Sequence, residues 1–476
     1  MSQAKTIAII GGGITGLSAA YHAQISFPDA KIILLESADR LGGVLQSDHI
    51  DGYTIERSAD MFVTDPPHAF GVCKQLGKDD QLMETTPTGD RAFVAAGDSI
   101  HPVPSGLSLM LPNDLDSVLD SALLDQGAKE RFQQEVDVPG RESEQDESLE
   151  SFATRRYGRS VFEQLIQPLV SGIYTADPKK LSMNATMKRF VDMERQHGSL
   201  IRAAEKMKSS AHEKQASGAR YGLFRAPQLG MEQLVGWIVE SLSSTECRLS
   251  CSVDTIQKTD AGWKIHTSGT EKADQPEVID ADAVVVATSA RIAGNLLENV
   301  DRELAQMLAT IQAASSAIVV MGVSENQIAC SFDGYGIIVP AVLGRKVIAT
   351  SFSSNKFAGR APKGNMLIRT FIGGALQPEL VELDDDALIK IATDELDATV
   401  GFSGQPELAR VYRWRNCMPQ YHLGHVERVA SIQQMTQRHC GLELAGNSYR
   451  GVGIPACIQS GAEAIERLGG QLLANR

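Results

Sequence analysis

Apolar and polar positions follow three rhythms along this chain. Two short unbroken apolar runs, Thr6-Ile7-Ala8-Ile9-Ile10 and Lys31-Ile32-Ile33-Leu34-Leu35, predict parallel strands covered on both faces, and Asp280 to Thr288 predicts a third. A small-residue helix, Leu17 to Ala23, lies between the first two. Period-two alternation over Val44 to Glu56 predicts a hairpin turning at Asp51-Gly52. Residues 91 to 95 and 99 to 104 predict a second, closed around Gly97-Asp98, and Arg248 to Asp254 pairs with Gly262 to Thr267. From 105 to 219 the spacing changes to three and four. Asp114 to Glu135 and Ser148 to Gly172 predict helices, Pro139 to Glu147 an exposed acidic loop, and 197 to 219 a solvated helix and linker. Between 300 and 407, four alternating strands and an amphipathic helix over Asp384 to Val400 predict a sheet-and-helix domain.

The turn after the first strand carries candidate chemistry. It reads Gly11-Gly12-Gly13-Ile14-Thr15-Gly16: Gly11 for a tight turn, Gly13 for close approach of a pyrophosphate, and Gly16 for packing of the helix on the strand. The second strand ends in Glu36, twenty residues past Gly16, where a carboxylate can accept both ribose hydroxyls. Strand, turn, helix and acid agree on a βαβ dinucleotide-binding unit of Rossmann type. Ser37 follows the acid, and Arg40-Leu41-Gly42-Gly43 then adds a cation and a second glycine pair. This segment resembles the FAD-binding flavoproteins of the amine oxidase type, in which it wraps the pyrophosphate.

Composition narrows the function classes. A chain of 476 residues, 43% hydrophobic, is ample for two or three domains. A net charge of −14, from 45 basic and 59 acidic residues, opposes non-specific binding to nucleic acid. Seven cysteines, at 73, 247, 251, 330, 417, 440 and 457, lack CxxC spacing, which predicts buried thiols in a reducing compartment and no metal site. His422 and His425 near Cys417 fit hydrogen-bonded roles better than ligation. With no signal peptide and no spanning apolar run, a cytoplasmic location is expected.

Five motif blocks between residues 5 and 468 carry a more specific resemblance. Gly52 to Phe62, with Ser58-Ala59-Asp60-Met61, is similar to the second FAD-contacting loop of the protoporphyrinogen oxidase family, which usually has Gly-Pro where this chain has Ser58-Ala59. That change loosens the loop and keeps its register. Gln164 to Ser182, containing Pro168-Leu169-Val170-Ser171-Gly172-Ile173-Tyr174, resembles the family segment lining the active-site side of the helical domain. Leu223 to Leu234 resumes the pattern, Pro419-Gln420-Tyr421-His422-Leu423-Gly424-His425 is characteristic of it, and Gly446 to Pro455 resembles its flavin-edge loop.

The resemblance implies FAD as cofactor and roles for particular residues. Gly451, Val452, Gly453 and Ile454 would meet the flavin edge, and the Val253 backbone would hydrogen-bond adenine. Trp414 would stack near the flavin or serve as a core tryptophan. Arg91 would pair with a propionate at the substrate cavity or remain solvated, and Gly172 would face the macrocycle or cap its helix. The implied reaction is six-electron oxidation of a porphyrinogen, protoporphyrinogen IX or coproporphyrinogen III, with dioxygen as acceptor in three rounds and hydrogen peroxide as product. No side-chain acid or base is assigned. Oxidation of amines or carotenoids, or a non-catalytic FAD protein, stay open as alternatives.

The expected architecture is α/β, with a discontinuous flavin domain (1–87, 220–298, 408–476), a substrate domain (88–104, 299–407) and an inserted helical subdomain (105–219). Some relatives dock the helical domain on a membrane. Here the apolar Leu107 to Pro112 is followed by the acidic Asn113-Asp114-Leu115-Asp116, and peripheral membrane contact is left open, as is a homodimer.

Overall fold

The computed structural model describes residues 5–87, 91–211, 224–268, 277–330 and 332–474. The expectations for 88–90, 212–219 and 221–223 lie outside the described residues. The two N-terminal apolar runs form strands Thr6–Ile10 and Lys31–Leu35 of a parallel five-stranded sheet. Its order is Thr245–Arg248, Lys31–Leu35, Thr6–Ile10, Ala283–Val286, Leu442–Leu444. Alternate side chains of the first strand enter different cores, which is why the run must be apolar throughout. Ile7 and Ile9 join the helices Ile14–Ser26, Met231–Ser241 and Ile454–Ala474, whereas Ala8 and Ile10 join a core behind the antiparallel ribbon Ser252–Thr259, Gly262–Ser268 and Glu277–Ala281.

A seven-stranded sheet forms the second domain, in the order Leu408–Pro419, Ala313–Ser324, Asn365–Gly373, Val347–Phe352, Gly336–Ile338, Ala92–Ala96, Ser99–Pro102. Helix Asp385–Val400, capped by Asp384, buries Leu388, Ala392 and Leu396 on one face of it. On the opposite face Ile318, Val320 and Leu367 pack against Tyr53 and Ile55 of the hairpin Ser47–Ile50 and Tyr53–Glu56. That hairpin joins the two domains.

Tertiary pairing moves two of the expected boundaries. Strand Leu408–Pro419, placed with the flavin domain, hydrogen-bonds to Ala313–Ser324 at the edge of the seven-stranded sheet. Conversely, helix Arg302–Ala309, placed with the substrate domain, buries Leu304 and Leu308 on the parallel sheet. The helical segments are also more broken than their periodicity implies. Asp114 to Glu135 divides into Leu115–Leu119 and Gln126–Gln133, and Ser148 to Gly172 is interrupted at Gly158, whose φ is +89°. A π-helical turn over Phe162–Ile166 then precedes Pro168, in keeping with a proline that offers no N–H to a regular helix.

The acidic loop is exposed only as far as Gln145. Glu147 is buried and held by Arg155 at 2.9 Å, and Asp146 accepts from the Gly424 N–H at 3.0 Å. In the candidate membrane segment, Met110 and Leu111 turn into the core of the helical subdomain. Among the described residues, no helix is long and apolar enough to cross a membrane.

Candidate cofactor and substrate site

The glycine turn has the shape that its spacing predicts. A Cβ on Gly16 would lie 1.8 Å from the Gly11 carbonyl oxygen, and one on Gly11, at φ +105°, would lie 2.7 Å from that of Ala287. Gly13, in contrast, faces open space. It starts helix Ile14–Ser26, which has neither a side-chain cap nor an acid in its first turn, so its leading N–H groups suit an anion. Glu36 accepts from the Gly12 N–H at 2.6 Å and the Ala38 N–H at 2.8 Å, which fixes its carboxylate beside the turn. Ser37 adds its hydroxyl at 3.2 Å. The Cys251 N–H donates to the Glu36 carbonyl, which brings Val253 to the same end of the sheet.

The second glycine pair packs directly on the first. Gly42 donates to the Gly12 carbonyl at 2.8 Å and forms a bridge with Gly13, and a Cβ on Gly43 would meet the Gly13 Cα at 3.2 Å. Arg40, read as a cation just after the acid, braces this wall. Its guanidinium donates to the carbonyls of Gly43 (2.9 Å) and Leu45 (2.8 Å) and reaches Glu232 at 3.1 Å.

Residues 57 to 61 run from this wall into the seam between the domains. Arg57 pairs with Asp48 at 2.6 Å, and its carbonyl accepts from Trp414 Nε1 at 2.6 Å, so Trp414 clamps the loop. Ser58 donates its hydroxyl to the Val44 carbonyl, and its own carbonyl accepts from Arg369. Asp60 is buried between Lys356 and Arg369, each 3.1 Å away. Burial pushes its carboxyl up, but the two cations outweigh that and hold it at about 2. Ala59 packs on the parallel-sheet core, and Met61 is half-buried beside it. Arg369, Lys356 and Arg360 escaped the sequence reading. The available signal was a lone arginine inside the apolar strand Met366-Leu367-Ile368-Arg369-Thr370-Phe371-Ile372.

The C-terminal block closes the site from the other side. Gly451 has φ +89°, and a Cβ there would lie 2.7 Å from that of Ala456; Gly453 is nearly free of neighbours and leads into helix Ile454–Ala474. This helix crosses the N-terminal one so closely that a Cβ on Gly461 would lie 2.4 Å from the Thr15 carbonyl oxygen. Ser18 Oγ also donates to the Ile458 carbonyl at 2.7 Å. The two glycine turns are therefore held at one end of the parallel sheet.

Three motif blocks far apart in sequence meet beside them. Tyr421 donates its hydroxyl to the Asn447 carbonyl, its own carbonyl accepts from the Ser182 N–H at 2.8 Å, and its ring stacks on His425 at 4.0 Å. His425 bonds through Nε2 to the Tyr449 carbonyl, and burial depresses its pKa to about 4, so it is neutral near pH 7. Val452 packs on the helical subdomain.

The two residues expected on the substrate side divide. Gly172 lies within helix Gln167–Tyr174, exposed and facing open space. The helix cap is Thr175, in left-handed conformation, so the C-cap alternative for Gly172 does not hold. Arg91 precedes strand Ala92–Ala96 with its side chain exposed, and its carbonyl accepts from the Tyr335 N–H at 2.8 Å. The neighbouring strand Gly336–Ile338 lies against helix Gln167–Tyr174, and Gln167 accepts from the Ala341 N–H at 3.0 Å. Arg91 and Gly172 thus flank one structural unit.

The chain is similar to known proteins along nearly its whole length. Residues 14–468 match the family described as flavin containing amine oxidoreductase. Coproporphyrinogen III oxidase of Bacillus subtilis is 30% identical over 466 residues, covering 97% of each chain. The chloroplastic protoporphyrinogen oxidase of Nicotiana tabacum is 28% identical over 484 residues, covering 98% of this chain and 85% of that one. A crystal structure from Exiguobacterium sp. 255-15, of a protein provisionally named protoporphyrinogen oxidase, superposes with a TM-score of 0.86 at 29% identity, over 98% of this chain and 99% of that chain. FAD fits the site: open space at Gly13, an uncapped helix start, and a carboxylate fixed at the strand end are what a dinucleotide requires.

Proposed function

The chain belongs to the flavin containing amine oxidoreductase family, and from that premise we propose that it oxidises a porphyrinogen to the porphyrin in haem synthesis. The observation that supports this most is the full-length similarity to enzymes named coproporphyrinogen III oxidase. That similarity puts coproporphyrinogen III ahead of protoporphyrinogen IX, which remains the second reading because the plant protoporphyrinogen oxidases also match along nearly the whole chain.

The enzyme is an FAD-dependent oxidoreductase; the bound cofactor supplies two-electron chemistry, and dioxygen is the proposed acceptor. The chain's own residues bind and orient. Gly11 to Gly16 and Glu36 hold the dinucleotide, Gly451 to Ile454 direct backbone N–H groups and a helix N-terminus toward the flavin edge, and Arg91 offers a guanidinium fork to a propionate. Neutral His425 keeps Tyr421 and the flavin-edge loop in register.

The test is porphyrin fluorescence in air after freshly reduced coproporphyrinogen III and protoporphyrinogen IX are added, in parallel, to the purified holoenzyme. Faster oxidation of coproporphyrinogen is expected. Faster oxidation of protoporphyrinogen would reverse the order of the two readings, and no fluorescence above the enzyme-free rate from either would refute both.

A further inference from the structure

Three cationic side chains and two carboxylates are buried together where residues 56–61 meet the seven-stranded sheet. Lys356, Arg360, Arg369, Glu56 and Asp60 are exposed by only 9%, 2%, 1%, 2% and 8%. Asp60 is shared by Lys356 and Arg369, and Glu56 faces Arg360 at 3.9 Å. The group therefore holds one more cation than carboxylate, Asp60 serving two of them. Arg369 sits at the centre of the group. It shares a strand face with Leu367 and Phe371, the face turned toward Tyr53 and Ile55 of the flavin-domain hairpin. One guanidinium nitrogen pairs with Asp60 and another donates to the Ser58 carbonyl, while Nε has no partner among the described residues. An apolar residue would fill this strand position without desolvating a cation, so stability alone does not account for the arginine.

We propose that Arg369 is a positioning residue for the flavin: it fixes the Ser58–Met61 loop through the Ser58 carbonyl and Asp60, and with Lys356 it maintains a buried positive charge that favours the reduced, anionic cofactor. The inference rests on reading that loop as a flavin contact. It also accounts for the loop's departure from the Gly-Pro form, since a loop loosened by Ser58-Ala59 is here tied down by a cation from the other domain.

The test is the midpoint potential of the bound flavin, measured by reductive titration of the holoenzyme against a redox dye. Arg369→Met is expected to shift the potential negative and to loosen FAD, and Arg369→Lys is expected to recover most of the potential. Lys356→Met removes charge without touching Ser58 and should shift the potential the same way, so the proposal stays testable even if Arg369→Met does not fold. Ala59→Val tests the loop itself and should alter the flavin absorption spectrum. Wild-type potentials in Arg369→Met and Lys356→Met, with an altered spectrum in Ala59→Val, would overturn the role of the charge cluster alone. An unaltered spectrum in Ala59→Val as well would overturn the placing of the loop at the flavin.

Discussion

Replacing Gly461 by alanine puts one methyl group at the crossing of helices Ile14–Ser26 and Ile454–Ala474. That carbon would lie 2.4 Å from the Thr15 carbonyl oxygen, 2.9 Å from the Ala19 nitrogen and 3.0 Å from the Ser18 Cβ, two of the three being backbone atoms that cannot rotate away. Relief requires the helices to separate by about 1 Å, an overpacking strain of about 1–3 kcal/mol. Separation also stretches the buried Ser18–Ile458 hydrogen bond, worth about 1 kcal/mol. Against these stands the helix propensity of alanine over glycine, about 1 kcal/mol in favour of the substitution. The expected net effect is a loss of about 1–3 kcal/mol. Gly470 is the internal control. It lies on the same helix, exposed and with nothing within 4 Å of an added Cβ, so Gly470→Ala should gain about 0.5–1 kcal/mol. Urea unfolding of the flavin-free proteins, followed by tryptophan fluorescence, reads both, because Trp237 is buried in the same core. Gly461→Ala should also bind FAD more weakly. If both variants shift stability in the same direction, the argument for close helix approach at Gly461 fails.

Four other outcomes are expected. Glu36→Ala should weaken FAD binding about ten- to a hundredfold in a binding titration, from loss of a charged acceptor worth about 1.5–3 kcal/mol. Asp60, held at about 2 against an ordinary 3.8, contributes stability on the order of 2 kcal/mol that is fully present above about pH 4 and is lost as pH falls through 2. Acid unfolding of Asp60→Asn should lack that component, and its stability at neutral pH should be lower. Tyr449→Phe removes a buried hydroxyl that has no partner among the described residues and should leave the urea midpoint unchanged or raised, whereas Tyr421→Phe, which forfeits the bond to Asn447, should cost about 1–3 kcal/mol. Arg91→Ala should raise the apparent KM while leaving kcat and the flavin spectrum alone; an unchanged KM would remove it from the substrate site.

The sequence was most legible where local chemistry and tertiary position coincide. Gly11, Gly13, Gly16 and Glu36 could be read together because strand, turn and helix each impose their own residue requirement within thirty-odd positions. The hairpin at Asp51-Gly52 was legible for the same reason, and both residues have positive φ. Strand Leu408–Pro419 was misplaced because its neighbourhood to the Pro419-Gln420-Tyr421 block suggested one domain, whereas its pairing with Ala313–Ser324 is set by a partner a hundred residues away. Arg40 reads as a cation after the acid, and its bracing bonds to the carbonyls of Gly43 and Leu45 were not legible because they depend on how the loop folds back. Arg369 passed as part of an apolar strand, because its meaning depends on Asp60 and Ser58 from another domain.

The measurement that bears most directly on the central claim is the visible absorption of the holoenzyme on anaerobic mixing with coproporphyrinogen III or protoporphyrinogen IX. At least one of them is expected to bleach the oxidised flavin band, taking two electrons from the porphyrinogen; admitting air should restore the colour and let porphyrin appear as the remaining rounds proceed. A flavin band untouched by either porphyrinogen, in protein that retains FAD and that dithionite can bleach, would contradict the claim.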